Sequence, residues 1–368
     1  MLSVFAAPNR YVQGRDATFR LPEQLLRVGA QGPYLLVASA TARGLLEPVW
    51  ERTFKEANLC YEIADFSGEC CREEIDRLIR LVERQGAMTV IGSGGGKVID
   101  AARAVAFETS RTMVSCPTAA ASDAPCSALS VVYTRGGVFD RFLFCRRNPE
   151  LVLVDTTVIA KAPVRLLVSG MGDALATRFE AETARAAFRP NQVGGLSTLA
   201  AAALADLCYR VLLEDGEAAL LAASTGSVTP AFERIVEANT LLSGLGFESG
   251  GLALAHSVHD GLTALPSTHD RLHGEKVAFG TLVQLVLEGR GRECLQEVLD
   301  FCVRVGLPVT LSQLGIEHLT EADARLVAER VLAPGETSHN EPFSMGISDI
   351  VDALKATNAL GISALSAR

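Results

Sequence analysis

The chain has 368 residues, of which 48% are hydrophobic and 21% are charged. This length is more than one hydrophobic core usually serves, so we expect two domains, and the hydrophobic content excludes disorder over most of the chain. The formal net charge of −9 argues against nucleic acid as a partner, because a phosphate backbone requires a surplus of Lys and Arg.

Cysteine usage and the N-terminal residues indicate the cellular compartment. The nine cysteines are scattered and include no Cys-x-x-Cys pair, as is typical of free thiols in a reducing environment. The first ten residues lack an early positive charge, and their apolar run is too short for a signal peptide. The most apolar long stretch, residues 196–213, carries Asp206 and is too short to span a membrane. We therefore expect a cytoplasmic protein that has no membrane partner.

Strand-like and helix-like segments alternate from residue 34 to residue 155. Short apolar runs predict four strands, at residues 34–38, 88–92, 131–133 and 151–155. Apolar residues at helical spacing predict helices over residues 71–83 and 98–107. Such alternation is typical of an α/β domain whose doubly wound parallel sheet binds a dinucleotide.

Beyond Pro163 the pattern changes to Ala- and Leu-rich segments with helical spacing, and hardly any β-branched run follows Val158. Turn signals interrupt these segments at residues 189–191, 229–230 and 265–267. The sequence therefore predicts an α/β domain over residues 1–160 and an all-α domain over residues 161–368.

A glycine-rich segment, Gly92-Ser93-Gly94-Gly95-Gly96-Lys97, stands between a predicted strand and a predicted helix. Glycines let the backbone approach phosphate oxygens closely, the helix N-terminus favours an anion, and Lys97 adds a full positive charge. The segment lacks the last glycine of Gly-x-Gly-x-x-Gly, and Val98 stands where a P-loop has Ser or Thr. It therefore predicts a phosphate-binding loop of another type, and the alternative is a tight strand-to-helix turn.

A second loop, residues 115–127, is rich in small and hydroxylated residues. Small residues permit a flat ring to lie against the backbone. Asp123 has no neighbouring cation in the sequence, which suits a carboxylate that accepts hydrogen bonds from a polyol. The alternative is that Asp123 forms a cap or an Asx-turn ahead of Pro125, and composition favours neither interpretation.

Asp173 and a cluster of histidines predict a metal site. Four of the six histidines lie within 18 residues, at positions 256, 259, 269 and 273. If both segments are helical, His256 shares a helix face with His259, and His269 shares one with His273. Neutral imidazoles are common zinc ligands, whereas apolar packing has no use for such a cluster. The spacing leaves open which histidines bind the metal, and the alternative for Asp173 is a helix N-cap.

In these motifs the chain resembles the glycerol dehydrogenases, a metal-dependent group related to the iron-containing alcohol dehydrogenases. The motif Asp123-Ala-Pro-Cys-Ser-Ala-Leu-Ser is specific to the group, whereas the glycine run alone is not. The matching stretches follow one order over almost the whole chain, at residues 94–97 with Asp100, 122–131, 172–177, 235–240, 246–253 and 273–281.

The resemblance implies an architecture like that of dehydroquinate synthase, with the active site in the cleft between an α/β and a helical domain. It implies that Asp173, His256 and His273 bind zinc and that Asp123 contacts a substrate hydroxyl, with His259 and His269 in the cleft but not on the metal. The dinucleotide contacts that it implies are Gly94, Gly95, Gly96, Lys97, Asp100, Thr118, Ser127, Leu129 and Tyr133, and the ribose-binding position falls on Ser39.

The implied reaction is oxidation of the secondary alcohol of glycerol, or of a similar small 1,2-diol, by NAD or NADP. Zn²⁺ rather than Fe²⁺ rests on the resemblance alone, since one Asp and two His would hold either ion. The family also implies a homo-oligomer, commonly a ring-like octamer. The alternatives are a dehydrogenase of a phosphorylated or amino polyol and a dehydroquinate synthase-like lyase. The lyase would need a basic cluster, whereas only Arg271 and Lys276 lie near the candidate ligands.

Two positions depart from the family pattern. The family usually has an acid after the first strand, where it binds the adenosine ribose and favours NAD, but this chain has Ser39. A carboxylate repels a 2′-phosphate, whereas Ser39, Thr41 and Arg43 would not, so we expect NADP to be accepted. Ala121 stands where the family loop carries a serine, which removes one hydroxyl near the phosphates.

Overall fold

The computed structural model describes residues 1–366. Its strands are β1 (Arg10–Gly14), β2 (Tyr34–Ala38), β3 (Tyr61–Asp65), β4 (Thr89–Gly94), β5 (Thr112–Pro117), β6 (Leu129–Tyr133), β7 (Phe139–Phe144) and β8 (Leu151–Asp155). The helices of the first half are α1 (Leu21–Arg27), α2 (Ala40–Glu56), α3 (Arg72–Gln85), α4 (Gly96–Glu108) and α5 (Thr156–Ile159). The helices that follow are α6 (Val164–Ala186), α7 (Leu199–Ser224), α8 (Pro230–Glu237), α9 (Ser243–Gly250), α10 (Leu254–Leu262), α11 (His273–Leu287), α12 (Arg292–Val305), α13 (Glu321–Val331) and α14 (Ile347–Ser366).

Six strands form one parallel sheet in the order β1-β8-β5-β4-β2-β3. Side chains alternate across each strand, so Leu35 and Val37 pack with α3 and α4, while Tyr34 and Leu36 pack with α1 and α2 on the opposite face. Helices therefore cover both faces, and the predicted doubly wound sheet is confirmed. The carboxyl ends of β2, β4 and β5 meet at one edge, which is where ligands bind in such sheets.

The predicted strand at residues 131–133 exists, but its place in the parallel sheet was wrong. It belongs to β6, which pairs antiparallel with β7 in a separate two-stranded sheet. The connection is a tight turn in which the Thr134 N–H donates to the Val138 carbonyl at 2.7 Å. Such a turn joins antiparallel neighbours, whereas a parallel pair needs a long crossover.

The sequence pattern did not reveal β1, β3, β5 or β7. The strands β1 and β3 lie at the two edges of the sheet, where they carry polar residues and are only partly buried. β5 is buried, but it ends in Ser115-Cys116-Pro117, which resembles a loop by composition. The continuous apolar runs in the sequence therefore identified only strands that are buried on both faces, together with part of the hairpin.

The second half of the described chain is helical, as predicted. Its largest core joins α6, α7, α8, α11 and α12, and Val152 and Val154 of β8 pack into the same core from the sheet. A π-helical turn, Ala238–Leu242, connects α8 to α9. The domain division at residue 160 stays a prediction; α5 ends at Ile159 and α6 begins at Val164. Within residues 1–366, no helix combines the length and the apolar character needed to cross a bilayer.

Glu341 is a carboxyl group buried in this helical half without a hydrogen-bond partner among the described residues. Burial and the neighbouring Glu288 carboxylate raise the pKa of Glu341 from 4.5 to about 8. The folded protein therefore holds a proton that the unfolded chain releases. That contribution to stability is complete below pH 4.5 and is lost as the pH rises through 8.

We therefore expect Glu341→Gln, a neutral replacement of the same shape, to stabilise the fold at pH 9 by about 1–3 kcal/mol and to change little at pH 5. Urea denaturation at both pH values measures the effect. The exposed Glu317→Gln is the control and should show no such difference. An equal effect of Glu341→Gln at both pH values would contradict the assignment.

Candidate active site

The candidate site contains three neighbouring side chains, each from a different helix: Asp173, His256 and His273. Asp173 lies well inside α6 and is 0% exposed, so the interpretation of this residue as a helix N-cap was wrong. His256 comes from α10, and His273 is the first residue of α11. The Asp173 Oδ1 atom lies 3.1 Å from His273 Nε2 and 3.5 Å from His256 Nε2.

Glycines allow α6 and α11 to approach closely enough for this contact. A Cβ atom built on Gly274 would lie 1.8 Å from the carbonyl oxygen of Ser169, and one on Gly172 would lie 2.3 Å from the carbonyl oxygen of Gly274. Backbone therefore packs against backbone at the point where Asp173 faces His273. The segment Ser169-Gly170-Met171-Gly172 is thus a helix-contact surface and not a turn.

The Nδ1 atoms of His256 and His273, which are not the nitrogens beside Asp173, also make polar contacts. His256 Nδ1 lies 2.6 Å from Glu180 Oε2, and His273 Nδ1 lies 3.0 Å from His259 Nε2. The second nitrogen of His259 lies 2.9 Å from Asp260 Oδ1. These contacts turn the Nε2 atoms of His256 and His273 toward Asp173.

Spacing did not show which of the four clustered histidines lie at the metal site, and the structure distinguishes them. His259 touches His273, but it does not belong to the group around Asp173. His269 lies before α11 and shares no helix face with His273; its exposed ring contacts the Thr263 carbonyl at 3.1 Å. Burial, and to a smaller extent the neighbouring His273, lower the pKa of His259 to about 3.

The charged side chains around Asp173 affect one another. Burial alone would raise the pKa of Asp173, but His273 and His256 hold it well below its usual range. Burial alone would lower the pKa of His256, but Glu180 and Asp173 raise it. The carboxylate form of Asp173 is therefore strongly favoured at this buried position.

The three donor atoms of Asp173, His256 and His273 lie within 4.8 Å of one another. One carboxylate oxygen and two imidazole nitrogens suit a divalent ion such as Zn²⁺ or Fe²⁺. Three protein ligands leave at least one position for a substrate, as in catalytic zinc sites. The residues present therefore fit the metal that the sequence predicts.

Asp123 lies directly beside this group. Its backbone N–H donates to Asp173 Oδ2 at 3.1 Å, and its own Oδ2 accepts a hydrogen bond from Ser243 Oγ at 2.8 Å. The side chain makes no capping hydrogen bond, so the alternative of a helix cap ahead of Pro125 is wrong. Burial and the nearby Asp173 carboxylate raise the pKa of Asp123 well above its ordinary value.

The π-helical turn between α8 and α9 holds the loop that carries Asp123. The Asn239 amide donates to the Ala120 carbonyl at 3.0 Å and to the Leu167 carbonyl at 3.1 Å. π-helical turns of this kind are frequent at functional sites. Asn239, Ser243 and Glu180 were missed in the sequence, because each occurs singly in an ordinary helical pattern.

The glycine-rich loop has the strand–loop–helix order that the sequence predicts. β4 runs to Gly94 and α4 begins at Gly96, while Cβ atoms built on Gly95 and Gly96 would meet open space. This open surface at a helix N-terminus suits an anionic ligand. Lys97 Nζ lies 2.6 Å from Glu69 Oε2 and 5.3 Å from the centroid of the Tyr133 ring.

Ser39 and Thr118 lie at the same sheet edge as the glycine-rich loop. The Ser39 N–H donates to the Ser93 carbonyl at 3.2 Å, and Ser39 Oγ accepts from the Ala42 N–H at 3.1 Å as the N-cap of α2. The Thr118 N–H donates to the Gly94 carbonyl at 3.0 Å. The loop that begins at Thr118 therefore starts beside the glycines.

Asp100, Ser127 and Leu129 lie behind that loop and shape it. The buried Asp100 carboxylate pairs with Arg103 at 2.7 Å, and Arg103 also donates to the carbonyls of Leu129 at 2.5 Å and Ala124 at 2.6 Å. Ser127 Oγ donates to the Ala124 carbonyl at 3.1 Å. Direct contact of these three residues with a cofactor stays a prediction.

Comparisons with known proteins show the family of the chain. Residues 8–156 match the family described as iron-containing alcohol dehydrogenase. The chain is 48% identical to a glycerol dehydrogenase of Thermotoga maritima and 45% identical to a glycolaldehyde reductase of Halobacterium salinarum, each over 361 residues and 98% of both chains. The crystal structure of glycerol dehydrogenase from Schizosaccharomyces pombe matches with a TM-score of 0.94 at 37% identity, over 98% of this chain and 91% of that one. The chain therefore belongs to the iron-containing alcohol dehydrogenase family and is an oxidoreductase of the alcohol dehydrogenase type.

Proposed function

We propose that the protein oxidises the secondary hydroxyl of glycerol, or of a similar small 1,2-diol, with NAD or NADP as the hydride acceptor; glycerol gives dihydroxyacetone. One observation carries this proposal. The short loop 118–123 is bonded at one end to Gly94 in the glycine-rich loop and at the other end to Asp173 in the metal-binding group. These two hydrogen bonds support a proposed dinucleotide site that is joined to the proposed metal site by one short loop.

We assign Asp173, His256 and His273 as the ligands of a divalent cation. When bound, such an ion supplies Lewis acidity, which lowers the pKa of an alcohol hydroxyl. We propose Zn²⁺ in preference to Fe²⁺ on the resemblance to the glycerol dehydrogenases, since two histidines and one carboxylate would hold either ion.

Asp123 positions the substrate in this account. Ser243 Oγ holds its Oδ2 atom, so Oδ1 is the oxygen that accepts a hydrogen bond from the substrate's neighbouring hydroxyl. Because Asp123 is buried, water does not compete for this hydrogen bond. This contact favours substrates with two adjacent hydroxyls.

The glycine-rich loop and Lys97 bind the cofactor's pyrophosphate. The open backbone of Gly95 and Gly96 lies at the start of α4, where N–H groups and the helix dipole favour an anion. The half-exposed Lys97 ammonium exchanges Glu69 for a phosphate oxygen. Tyr133 packs beside the same ammonium group.

An oxidation screen on zinc-loaded enzyme tests the proposed reaction. The substrates are glycerol, 1,2-propanediol, 1,3-propanediol, a simple primary alcohol, glycerol phosphate and an amino polyol, each with NAD and with NADP. We expect the highest kcat/KM for the 1,2-diols, with dihydroxyacetone as the product from glycerol. Turnover confined to the phosphorylated or the amino polyol would favour those alternatives, and no turnover on any substrate would contradict the proposal.

We also propose that the enzyme accepts both NAD and NADP. Ser39 follows β2, next to the strand that carries the glycine-rich loop, and it presents no carboxylate. Arg43 lies one helical turn later, with its guanidinium 2.8 Å from Asp65 and 2.9 Å from Glu47. A 2′-phosphate at this position meets a hydroxyl and a guanidinium, although Arg43 is partly neutralised by its two acidic partners.

Ser39→Asp tests this preference without disturbing the helix, because Asp and Ser cap helices about equally well. The added carboxylate repels a 2′-phosphate, so we expect kcat/KM with NADP to fall by about tenfold or more relative to NAD. Ser39→Asn is the matched control, since it keeps the cap and adds no charge. If the unmodified enzyme already prefers NAD by about 100-fold, relaxed cofactor choice is wrong.

We propose a homo-oligomer as the working form, with the octamer that the resemblance implies as the expected size. Support comes from the resemblance; the exposed apolar side chains of Phe188 (75%), Leu199 (77%) and Leu221 (69%) are the first candidates for contacts between subunits. Light scattering coupled to size-exclusion chromatography measures the number of subunits directly.

A further inference from the structure

We infer that Glu180 is a positioning residue for the metal site: its carboxylate fixes His256 in the orientation and tautomer that present Nε2 to the ion. This inference rests on the proposed metal site. Glu180 itself is not a ligand in that proposal, because it faces the opposite nitrogen of the ring.

Every polar contact of the Glu180 carboxylate is directed at the start of α10. Oε1 accepts hydrogen bonds from the backbone N–H groups of Ala253 at 2.9 Å and of His256 at 3.0 Å. Oε2 lies 2.6 Å from His256 Nδ1. Ala253, the residue before α10, makes no capping hydrogen bond with its own side chain. Glu180 therefore serves as the missing cap of this helix and holds the ring of His256 with the same carboxylate.

The position of Glu180 on α6 makes this support rigid. Glu180 follows Asp173 by two helical turns on the same face of α6, so the two carboxylates approach His256 from one side. Asp173 faces Nε2 at 3.5 Å, and Glu180 faces Nδ1 at 2.6 Å. The imidazole is thus held between two side chains of one continuous helix.

The tautomer of His256 follows from the hydrogen-bonding chemistry of Glu180. A carboxylate can only accept hydrogen bonds, so a neutral His256 ring beside Glu180 carries its proton on Nδ1. The lone pair is then on Nε2, which is the nitrogen that faces Asp173. A carboxylate that holds the outer nitrogen of a metal-binding histidine in this way raises the affinity of the site for its ion.

Glu180 belongs to a buried group of acidic side chains next to the proposed metal ligands. Glu180 is 0% exposed, and among the described residues only His256 lies within ion-pair distance of it. Asp173 and Asp123 place two further carboxyl groups nearby, both buried. Among the described residues no Lys or Arg pairs with these acids, and His256 is the basic side chain that lies between Glu180 and Asp173.

His273 is supported by a different side chain. The effect of Glu180 on His256 can therefore be measured separately from any effect on His273. The Nδ1 atom of His273 faces Nε2 of another imidazole, that of His259, and the His273 side chain is 40% exposed. His256 is 16% exposed and faces a carboxylate directly. Removing the charge of Glu180 therefore weakens one ligand selectively.

Glu180→Gln tests the inference because Gln has the same shape but cannot satisfy all three contacts. If its carbonyl oxygen accepts the Ala253 and His256 N–H groups, its NH₂ group donates to Nδ1 and forces the ring proton onto Nε2, where the metal binds. If the amide is flipped, the NH₂ group faces two backbone donors. We expect a 10- to 100-fold weaker zinc affinity, measured by chelator competition.

Two controls separate a specific effect from a loss of folding. Asp215→Asn removes the charge of another buried carboxylate of the helical half, one that pairs with Arg234, and should leave zinc affinity unchanged. Glu180→Asp keeps the charge and should bind zinc more tightly than Glu180→Gln at a comparable melting temperature. Neutron diffraction from the unmodified, zinc-loaded protein reports the tautomer without any substitution, and we expect deuterium on Nδ1 of His256.

The outcomes distinguish this inference from the proposed function. If the unmodified enzyme binds zinc and loses activity on chelation, but Glu180→Gln binds zinc equally well, the role of Glu180 is wrong while the metal site stands. Zinc bound to Nδ1 of His256, or a proton on Nε2, also overturns the inference. If the unmodified enzyme keeps full activity after exhaustive chelation, the proposed metal site itself is wrong.

Discussion

Asp173→Ala should remove the bound metal and lower kcat by about 1,000-fold or more, because Lewis-acid stabilisation is worth several kcal/mol and each 1.4 kcal/mol is about tenfold in rate. Asp173 supplies the anionic donor of the three proposed ligands and is 0% exposed, so water cannot replace it without opening the helix contact. Metal content and steady-state kinetics, measured on the same preparation, check the expectation.

Asp206→Ala is the matched control for this experiment. Asp206 lies on α7 in the same helical half, but it is partly exposed and pairs with Arg178 and Arg210 at the surface. Its removal should change neither the metal content nor kcat, since surface ion pairs contribute little. An Asp173→Ala variant that turns over at the normal rate without metal would remove the Lewis acid from the mechanism.

Gly274→Ala should damage the same site through packing alone. The added Cβ would lie 1.8 Å from the Ser169 carbonyl oxygen, which belongs to the backbone of α6 and cannot rotate away as a side chain could. The helices α6 and α11 must separate, and His273 moves away from Asp173 with the N-terminus of α11. We expect a loss of at least about 3 kcal/mol in the free energy of unfolding and weaker zinc binding.

Gly44→Ala provides the comparison, because its Cβ would meet no atom within 4 Å and it lies inside α2. That substitution should be neutral or stabilising by up to about 1 kcal/mol, since Ala is the better helix former. Urea unfolding of both variants, with and without zinc, gives the two free energies. Unchanged stability and zinc affinity in Gly274→Ala would show that the glycine contact does not set the site.

The sequence predicted the parts of the site that depend on local pattern. A glycine-rich segment between a buried strand and a helix marks the sheet edge, and β4 and α4 lie there. The histidine cluster marked a metal site, but spacing could not separate His256 and His273 from His259 and His269. Only the packing of α10 and α11 against α6 makes that choice.

Other features could not be predicted because they depend on contacts between distant residues. The Ser169–Gly172 segment is rich in glycine and resembles a turn, yet these glycines lie inside α6 and permit close contact with α11. Glu180 has the appearance of an ordinary helical glutamate until His256, 76 residues away, is placed beside it. The run Val131–Tyr133 resembles a buried strand, although it forms one half of a hairpin.

Anomalous X-ray diffraction at the zinc edge, on crystals of active enzyme, tests the central claim most directly. We predict one peak per chain, about 2.0–2.2 Å from a carboxylate oxygen of Asp173 and from the Nε2 atoms of His256 and His273. A peak at another position, or no peak in crystals whose dissolved protein oxidises glycerol, would contradict the account.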